Sequence, residues 1–139
     1  MIVSVSGTRE GASDAQLLAL AETLLHYTGL HKTIELHHGD CLGVDQQAAE
    51  MAAMMQHTTV SHPPTKDNMR AFHESDVVMP AKGYLERDRD LAELCDVLVA
   101  LPLVHDVNAN SGTWYTIRHA MRINKDIIVI DRDGITHHY

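Results

Sequence analysis

The segment HHGDCLGVDQQAAEMA, residues 37–52, shows how the chain divides into strands and helices. It passes from the end of a strand, through a tight polar loop with two glycines, into a helix. Units of this kind build parallel sheets, and such loops often hold phosphate. This loop contains Asp40 and Asp45 but no lysine. A phosphate bound here would therefore need its cation from elsewhere in the chain.

Strands and helices alternate on both sides of this segment. The predicted strands cover residues 1–5, 33–38, 58–61, 96–101 and 126–130, and the predicted helices cover residues 13–27, 44–55, 84–95 and 111–123. The strands are continuous apolar runs, which is typical of a parallel sheet covered on both faces. The sequence therefore predicts one α/β domain over residues 1–139, with a mostly parallel sheet of about five strands and helices on both faces.

Helix boundaries carry their own signals. Ser13 followed by Gln16 predicts a capping box at the start of the first helix, and Gly29 predicts its end. Ser111 predicts the cap of the last helix. Residues 62–83 form the least regular stretch, and an irregular stretch of this length in a small domain is usually functional or disordered.

Composition indicates a globular protein without large basic surfaces. Of 139 residues, 45% are hydrophobic and 22% are charged, and the formal net charge is -8. This charge argues against broad binding to nucleic acid, which depends on Lys and Arg. The two cysteines, Cys41 and Cys95, have no paired spacing, which favours a reduced, cytoplasmic setting. No apolar run approaches the roughly 18 residues that span a membrane, and no signal peptide is apparent.

The loop Ser6-Gly7-Thr8-Arg9 follows the first predicted strand. In an open α/β sheet, ligands bind outside the carboxyl ends of the strands. Ser6 and Thr8 offer hydroxyl groups, and the guanidinium of Arg9 suits phosphate. A plain strand-to-helix turn is the alternative interpretation.

The loop from Gly39 to Asp45 follows the second predicted strand. Its glycines, Gly39 and Gly43, would let backbone N–H groups face an anion at the helix start. The loop is neither a Walker loop nor a GxGxxG motif. The helix dipole alone accounts for Asp45 in the first helical turn, whereas no helix position accounts for Asp40.

Two further helix starts are candidates for anion binding. Ser111-Gly112-Thr113 would expose the free N–H groups of the last helix, with ordinary capping as the alternative. The segment YLERDRD, residues 84–90, places Arg87 and Arg89 where acidic residues are usually preferred. Either arginine would reach a ligand phosphate or sugar, or both would form local ion pairs on a solvated helix.

Metal binding is not indicated by the histidine spacing. The chain has eleven histidines, including the pairs His37-His38 and His137-His138, but no HxxxH or Cys/His spacing. Scattered surface histidines are therefore expected, and no metal or cofactor is predicted.

These segments, taken in order, resemble the SLOG superfamily. The matching pieces are SGTRE, HHGDCLGVD, HPP, YLERDRD, CDVLVALP and SGTW, which together cover nearly the whole chain. That superfamily includes the cytokinin-activating LOG phosphoribohydrolases and the DNA-processing protein DprA. The resemblance implies a Rossmann-like three-layer fold and a nucleotide or nucleotide-derived ligand at the carboxyl edge. It also implies a homo-oligomer, which the methionine-rich helices suit.

The resemblance to LOG enzymes is incomplete at the catalytic acid. These enzymes split a base from a ribose phosphate, and their pattern pairs an arginine with a PGGxGTxxE segment. Arg87 or Arg89 matches the arginine, with Arg89 preferred, and Gly112-Thr113 matches the glycine–threonine pair. The glutamate position is Thr116, and residues 102–110 replace the PGG part. Another carboxylate would have to serve, and Glu86, Asp40 and Asp45 remain open.

The sequence thus favours a sensor or binding module for a nucleotide or nucleotide-derived ligand. The alternative is an N-glycosidic hydrolase acting on nucleoside monophosphates, with Arg89, Glu86 and Asp40 as catalytic candidates. A DNA partner of the DprA kind is disfavoured by the net charge. At least one of Asp40 and Asp45 is expected to face a ribose hydroxyl or to orient a neighbouring loop. The expected ligand contacts are Ser6, Gly7, Thr8, Arg9, Gly39, Asp40, Gly43, Asp45, Arg87, Arg89, Ser111, Gly112 and Thr113.

Overall fold

The computed structural model describes residues 1–31 and 33–139. Its strands are β1 (Ile2–Gly7), β2 (Glu35–His38), β3 (Thr58–Ser61), β4 (Val77–Val78), β5 (Val97–Leu101), β6 (Asp126–Ile130) and β7 (Thr136–His138). Its helices are α1 (Asp14–His31), α2 (Val44–Met54), α3 (Tyr84–Leu94) and α4 (Gly112–Arg122). Among the described residues, no helix is both long enough and apolar enough to cross a membrane.

The strands form one sheet in the order β4-β3-β2-β1-β5-β6-β7. All neighbours are parallel except β6 and β7. The chain builds outward from β1 to β4 and then returns to the other side of β1 with β5. The order therefore reverses between β1 and β5, where open α/β sheets bind ligands. The register pairs Gly7 with Leu101, so the loops after these two strands begin side by side.

Helices cover both faces of the sheet. On one face, Leu20 and Leu24 of α1 and Ala48 of α2 pack in a core that includes Val5 and Val99. On the other face, residues of α3 and α4 pack with Leu98 and Ala100 around the fully buried Trp114. This arrangement confirms the three-layer α/β architecture. It also explains why the central strands are apolar along their whole length, since both of their faces are buried.

The sheet has seven strands where about five were expected. The two additional strands, β4 with two residues and β7 with three, lie at the sheet edges and are mostly exposed, so neither has an apolar run long enough to predict a strand. Helix α1 also continues past Gly29, the predicted stop, to His31. The capping box is present, since Ser13 and Gln16 exchange hydrogen bonds of 3.0 and 3.1 Å between backbone N–H groups and side-chain oxygens.

Candidate functional site

A cavity of about 640 Å³ lies at the carboxyl ends of β1 and β5. The predicted loops of residues 6–9 and 111–113 both line it, together with Asp45 and Arg87. The structure therefore brings residues of all four candidate segments together around one space. Its volume falls within the roughly 300 to 1,000 Å³ typical of small-molecule sites.

The loop after β1 is held in place by its backbone. The N–H of Thr8 donates to the carbonyl of Leu101 at 3.2 Å, and the N–H of Val44 donates to the carbonyl of Thr8 at 3.1 Å. The side chain of Arg9 is exposed, and its guanidinium lies 4.8 Å from the ring centre of Tyr84. This stacking joins the loop after β1 to the start of α3 and places a cation at the cavity.

Gly43 allows the loop after β2 to pass against the loop after β1. Its φ angle is +86°, and a Cβ atom there would lie 2.5 Å from the carbonyl oxygens of both Thr8 and Arg9. Only glycine takes this conformation without strain in so small a space. Gly43 thus positions the wall of the cavity without lining it.

Gly39 makes room for a buried guanidinium. A Cβ atom there would lie 2.6 Å from Nη1 of Arg87 and 2.8 Å from Oδ2 of Asp45. Nη1 of Arg87 donates to the carbonyl of Gly39 and, at 3.2 Å, to that of His62. The cation beside the glycine loop is thus Arg87 from α3. Its guanidinium bonds to a carbonyl oxygen of the loop.

Two buried carboxyl groups line the cavity beside Arg87. Nε of Arg87 donates to Oδ1 of Asp88 at 2.9 Å, and Asp45 Oδ2 accepts the N–H groups of Gly39 and Cys41 at 3.1 and 3.3 Å. Burial raises the pKa of Asp45 to about 6, against the opposing effect of Arg87. Burial also raises the pKa of Asp88, again opposed by Arg87. Both carboxyls therefore hold a proton more readily than surface aspartates do.

The start of α4 forms the opposite wall. The hydroxyl of Ser111 accepts the N–H of Trp114 at 3.2 Å, which confirms Ser111 as the helix cap. Gly112 and Thr113, which line the cavity, lie in the first turn, where backbone N–H groups have no partner within the helix. The buried Thr116 donates its hydroxyl to the carbonyl of Gly112 at 2.9 Å. Thr116, the residue at the position of the LOG glutamate, is thus bonded to the backbone of its own helix.

Asp40 lies away from the cavity. It is fully buried, and its carboxylate accepts Nε of Arg70 at 2.7 Å and the N–H of His73 at 2.9 Å. Its carbonyl accepts the N–H of Ala71 at 2.8 Å. The structure therefore places Asp40 where it ties the segment after β3 to the glycine loop, and not where a catalytic carboxylate would meet a ligand in the cavity.

Glu86 and Arg89 lie on the exposed side of α3. Glu86 is 3.8 Å from Nζ of Lys82, and Arg89 donates to the hydroxyl of Tyr115 at 3.3 Å. Neither lines the cavity, whereas Arg87 and Asp88 do. Of the two arginines, it is therefore Arg87 and not the preferred Arg89 that the structure places at the cavity, because the buried face of α3 carries residues 87, 88, 91 and 92.

Sequence reasoning missed Asp88 and Tyr84 as cavity residues. A signal was present, because apolar Leu91 and Ala92 mark the buried face of α3 and residues four positions earlier share that face. The expectation of surface histidines is also wrong for His37 and His38. Both are buried, since β2 lies inside the sheet.

Comparisons with known proteins find similar structures. A molybdenum cofactor binding protein from the phototrophic bacterium Rippkaea orientalis has a TM-score of 0.72 and 21% identity, over 94% of this chain and 76% of that chain. The molybdenum cofactor carrier protein from Chlamydomonas reinhardtii has a TM-score of 0.67 and 25% identity, over 92% and 74%. DNA processing protein A from Helicobacter pylori has a TM-score of 0.63 and 23% identity, over 93% and 64%.

Sequence comparisons find nothing comparable. No protein-family model matches the chain, and no curated protein matches it. The likeness thus lies in the three-dimensional arrangement, which is Rossmann-like in all of these structures.

Proposed function

We propose that this chain, which its motifs and fold assign to the SLOG superfamily, is a cytoplasmic sensor or binding module for a nucleotide or nucleotide-derived ligand. The likeness to two proteins that bind the molybdenum cofactor supports ligand binding in general. The proposal that the ligand carries a phosphate rests on the chemistry of the cavity.

The observation that carries the proposal is that two loops suited to binding an anion line the same cavity. The loops after β1 and β5 begin side by side, and the second continues into the first turn of α4. Arg9 adds a guanidinium from the first loop, and the unpaired N–H groups of α4 add partial positive charge from the second loop. A phosphate group placed between them would be bound from both sides.

The rest of the cavity suits a ring system and a sugar. Tyr84, Leu103 and Val104 contribute apolar surface, while Asp45 and Asp88 lie near the buried Arg87. An ionised carboxylate repels phosphate and accepts hydrogen bonds from hydroxyl or amino groups. The phosphate is therefore assigned to Arg9 and α4, and a ribose hydroxyl or a ring amino group is assigned to Asp45 or Asp88.

Ligand titration tests this proposal directly. Isothermal titration of the full chain with nucleoside monophosphates, cyclic nucleotides, ADP-ribose and the molybdenum cofactor should identify at least one ligand. A ligand at about one hundred times its dissociation constant should also stabilise the fold by roughly 2.7 kcal/mol. If no member of the panel binds or shifts the unfolding transition, the proposal is wrong.

A second candidate function is cleavage of the N-glycosidic bond of a nucleoside monophosphate. Its specific support is the pair of cavity carboxyls, Asp45 and Asp88, since such cleavage pairs a carboxylic acid of raised pKa, which protonates the leaving group, with a carboxylate at an oxocarbenium-like centre. Incubation with nucleoside monophosphates, followed by chromatography of free base, tests it. Asp45→Asn and Asp88→Asn are the variants to compare. Absence of base release by the wild-type chain would exclude this function for those substrates.

Self-association is proposed through the edge strand β4. Val77 and Val78 of β4 and the adjacent Met79 are 46%, 55% and 40% exposed, and neighbouring exposed apolar side chains are suited to packing against a second copy. Sedimentation velocity should show an oligomer that Val78→Lys dissociates. A monomeric wild-type chain at micromolar concentration would contradict this.

A further inference from the structure

Three metal-ligating side chains from separate parts of the chain meet beside the cavity. They are His105 from the segment after β5, Asp131 from the end of β6 and His137 from β7, and one ligand atom from each lies within 4.8 Å of the others. We propose that these residues form a binding site for a divalent cation of the zinc type. The proposal goes beyond the proposed function and does not depend on it.

The carboxylate of Asp131 is already oriented for such a role. Its Oδ1 accepts the backbone N–H groups of Asp133 and Ile135 at 3.0 and 3.1 Å. Its Oδ2 lies 2.8 Å from Nε2 of His137. Hydrogen bonds to one oxygen therefore hold the other toward the histidines, which is how the surroundings of a metal site orient a ligand.

Both imidazoles are also held by their surroundings. His137 pairs with Val129 in the antiparallel β6–β7 ladder, which fixes its backbone. The ring of His105 lies 4.1 Å from the ring of His137 and stacks on that of Trp114, at 5.8 Å and 20°. Trp114 is fully buried and donates Nε1 to the carbonyl of Val104 at 2.7 Å. The segment that carries His105 is therefore anchored next to the site.

The donor set matches zinc. Two imidazoles and one carboxylate are common ligands of Zn²⁺, with bonds of about 2.0 to 2.2 Å and a fourth position for water. Ligand atoms around a tetrahedral ion of that size lie about 3.4 Å apart. The pair Asp131–His137 is already closer than this. His105 is exposed, and its ligand atom, which lies within 4.8 Å of the other two, has to move closer to them to complete the set.

Metal binding at this place would act on the cavity wall. Residues Leu103 and Val104 line the cavity and directly precede His105. A cation shared by His105, Asp131 and His137 would tie this wall to the edge of the sheet. The sequence spacing does not reveal the site, because the fold brings together His105 and His137, which lie 32 positions apart in the chain.

Titration of the untagged full chain with Zn²⁺ alone, and with Co²⁺ as a spectroscopic probe, tests the site. We expect one equivalent of Zn²⁺ to bind and Co²⁺ to give the visible absorption of a tetrahedral centre. His105→Ala, Asp131→Asn and His137→Ala should each weaken Zn²⁺ binding by about tenfold or more. His138→Ala is the matched control, since adjacent side chains of a strand point to opposite faces, and it should bind as the wild type does.

His105→Ala is the decisive variant, because it removes an exposed side chain and its folding is checked by thermal unfolding without metal. If the wild-type chain binds no Zn²⁺, the proposal is overturned. It is also overturned if His105→Ala binds as tightly as the wild type, or if His138→Ala loses as much affinity as His105→Ala.

Discussion

The ring of Tyr84 lies 4.8 Å from the guanidinium of Arg9 and 5.5 Å from that of Arg87. The two arginines differ in their surroundings. Arg87 is buried and bonded to Asp88, whereas Arg9 is exposed, and no ion pair to it occurs among residues 1–31 and 33–139. We therefore assign to Arg87 the role of holding the site together and propose Arg9 as the arginine that contacts the ligand.

Replacement of Arg9 by alanine should weaken the binding of a phosphate-bearing ligand. A hydrogen bond to a charged group contributes about 1.5 to 3 kcal/mol, so the dissociation constant should rise roughly tenfold to a hundredfold. Calorimetric titration measures this change. Arg89→Ala is the control, because Arg89 is an exposed arginine outside the cavity, and its affinity should match that of the wild type. Equal losses in both variants would show a general charge effect instead.

Replacement of Arg87 by alanine should destabilise the fold. It would leave the buried carboxyls of Asp45 and Asp88 without their cation, and breaking a buried pair typically costs about 3 to 5 kcal/mol. Urea unfolding of Arg87→Ala and Arg89→Ala compares a buried with an exposed arginine on the same helix. A difference below about 0.5 kcal/mol would contradict the role assigned to Arg87.

Glycine replacements separate close packing from backbone freedom. Gly39→Ala would place a methyl group against Arg87 and Asp45, and we expect a loss of about 1 to 3 kcal/mol. Gly29→Ala is the control, because this helical glycine has no atom within 4 Å of its added Cβ, and it should gain about 0.5 to 1 kcal/mol. Chemical unfolding measures both. Equal stability of the two variants would show that the space at Gly39 is larger than the structure indicates.

Stability should fall as the pH is lowered from about 6.5 to about 4. Burial lowers the pKa of His38 to about 3 and that of His62 to about 4, from the ordinary value of 6.5. In this window the unfolded chain binds protons that the folded imidazoles do not, so acid favours unfolding. Asp45 and Asp88 act oppositely, because burial raises both pKa values, that of Asp45 to about 6, and the folded state keeps their protons.

The pKa values of His38 and His62 are shifted further than that of Asp45, and burial also lowers the pKa of His57, so the histidines decide the sign. The net slope is therefore smaller than the roughly 2.7 kcal/mol per pH unit that two histidines alone would give near pH 5. Asp45→Asn should remove its part of the opposing contribution and make the dependence steeper. His138→Asn, at an exposed position, should leave it unchanged. Urea unfolding at several pH values provides the data, and a wild-type stability that rises on acidification would contradict this balance.

The order of elements was predictable because it depends on local patterns. Continuous apolar strands such as β5 and the Ser13–Gln16 capping box are visible in a few consecutive residues. Strand β7 was missed because it has only three residues, although it pairs with the preceding β6 across a short turn. Strand β4 was not predictable, because it has two residues and pairs with β3 about seventeen residues earlier in the chain. The same holds for Asp40, whose partners Arg70 and His73 lie thirty or more residues away.

The candidate site was predictable in part for the same reason. The loops of residues 6–9 and 111–113 are recognisable in the sequence, because both combine a glycine with hydroxyl side chains and the first also has an arginine. The choice between Arg87 and Arg89 depended instead on the rotation of α3, which Leu91 and Ala92 determine by packing on the sheet. The role of a charged residue on a helix is thus decided by the apolar residues one turn away.

The central claim is that the cavity between the loops after β1 and β5 binds a ligand through its phosphate. The most direct test is a paired calorimetric titration of the wild-type chain with a nucleoside monophosphate from the binding panel and with its parent nucleoside. The account predicts that the monophosphate binds at least about tenfold more tightly and that Arg9→Ala abolishes this difference. Equal affinity for the two compounds in the wild-type chain would contradict it.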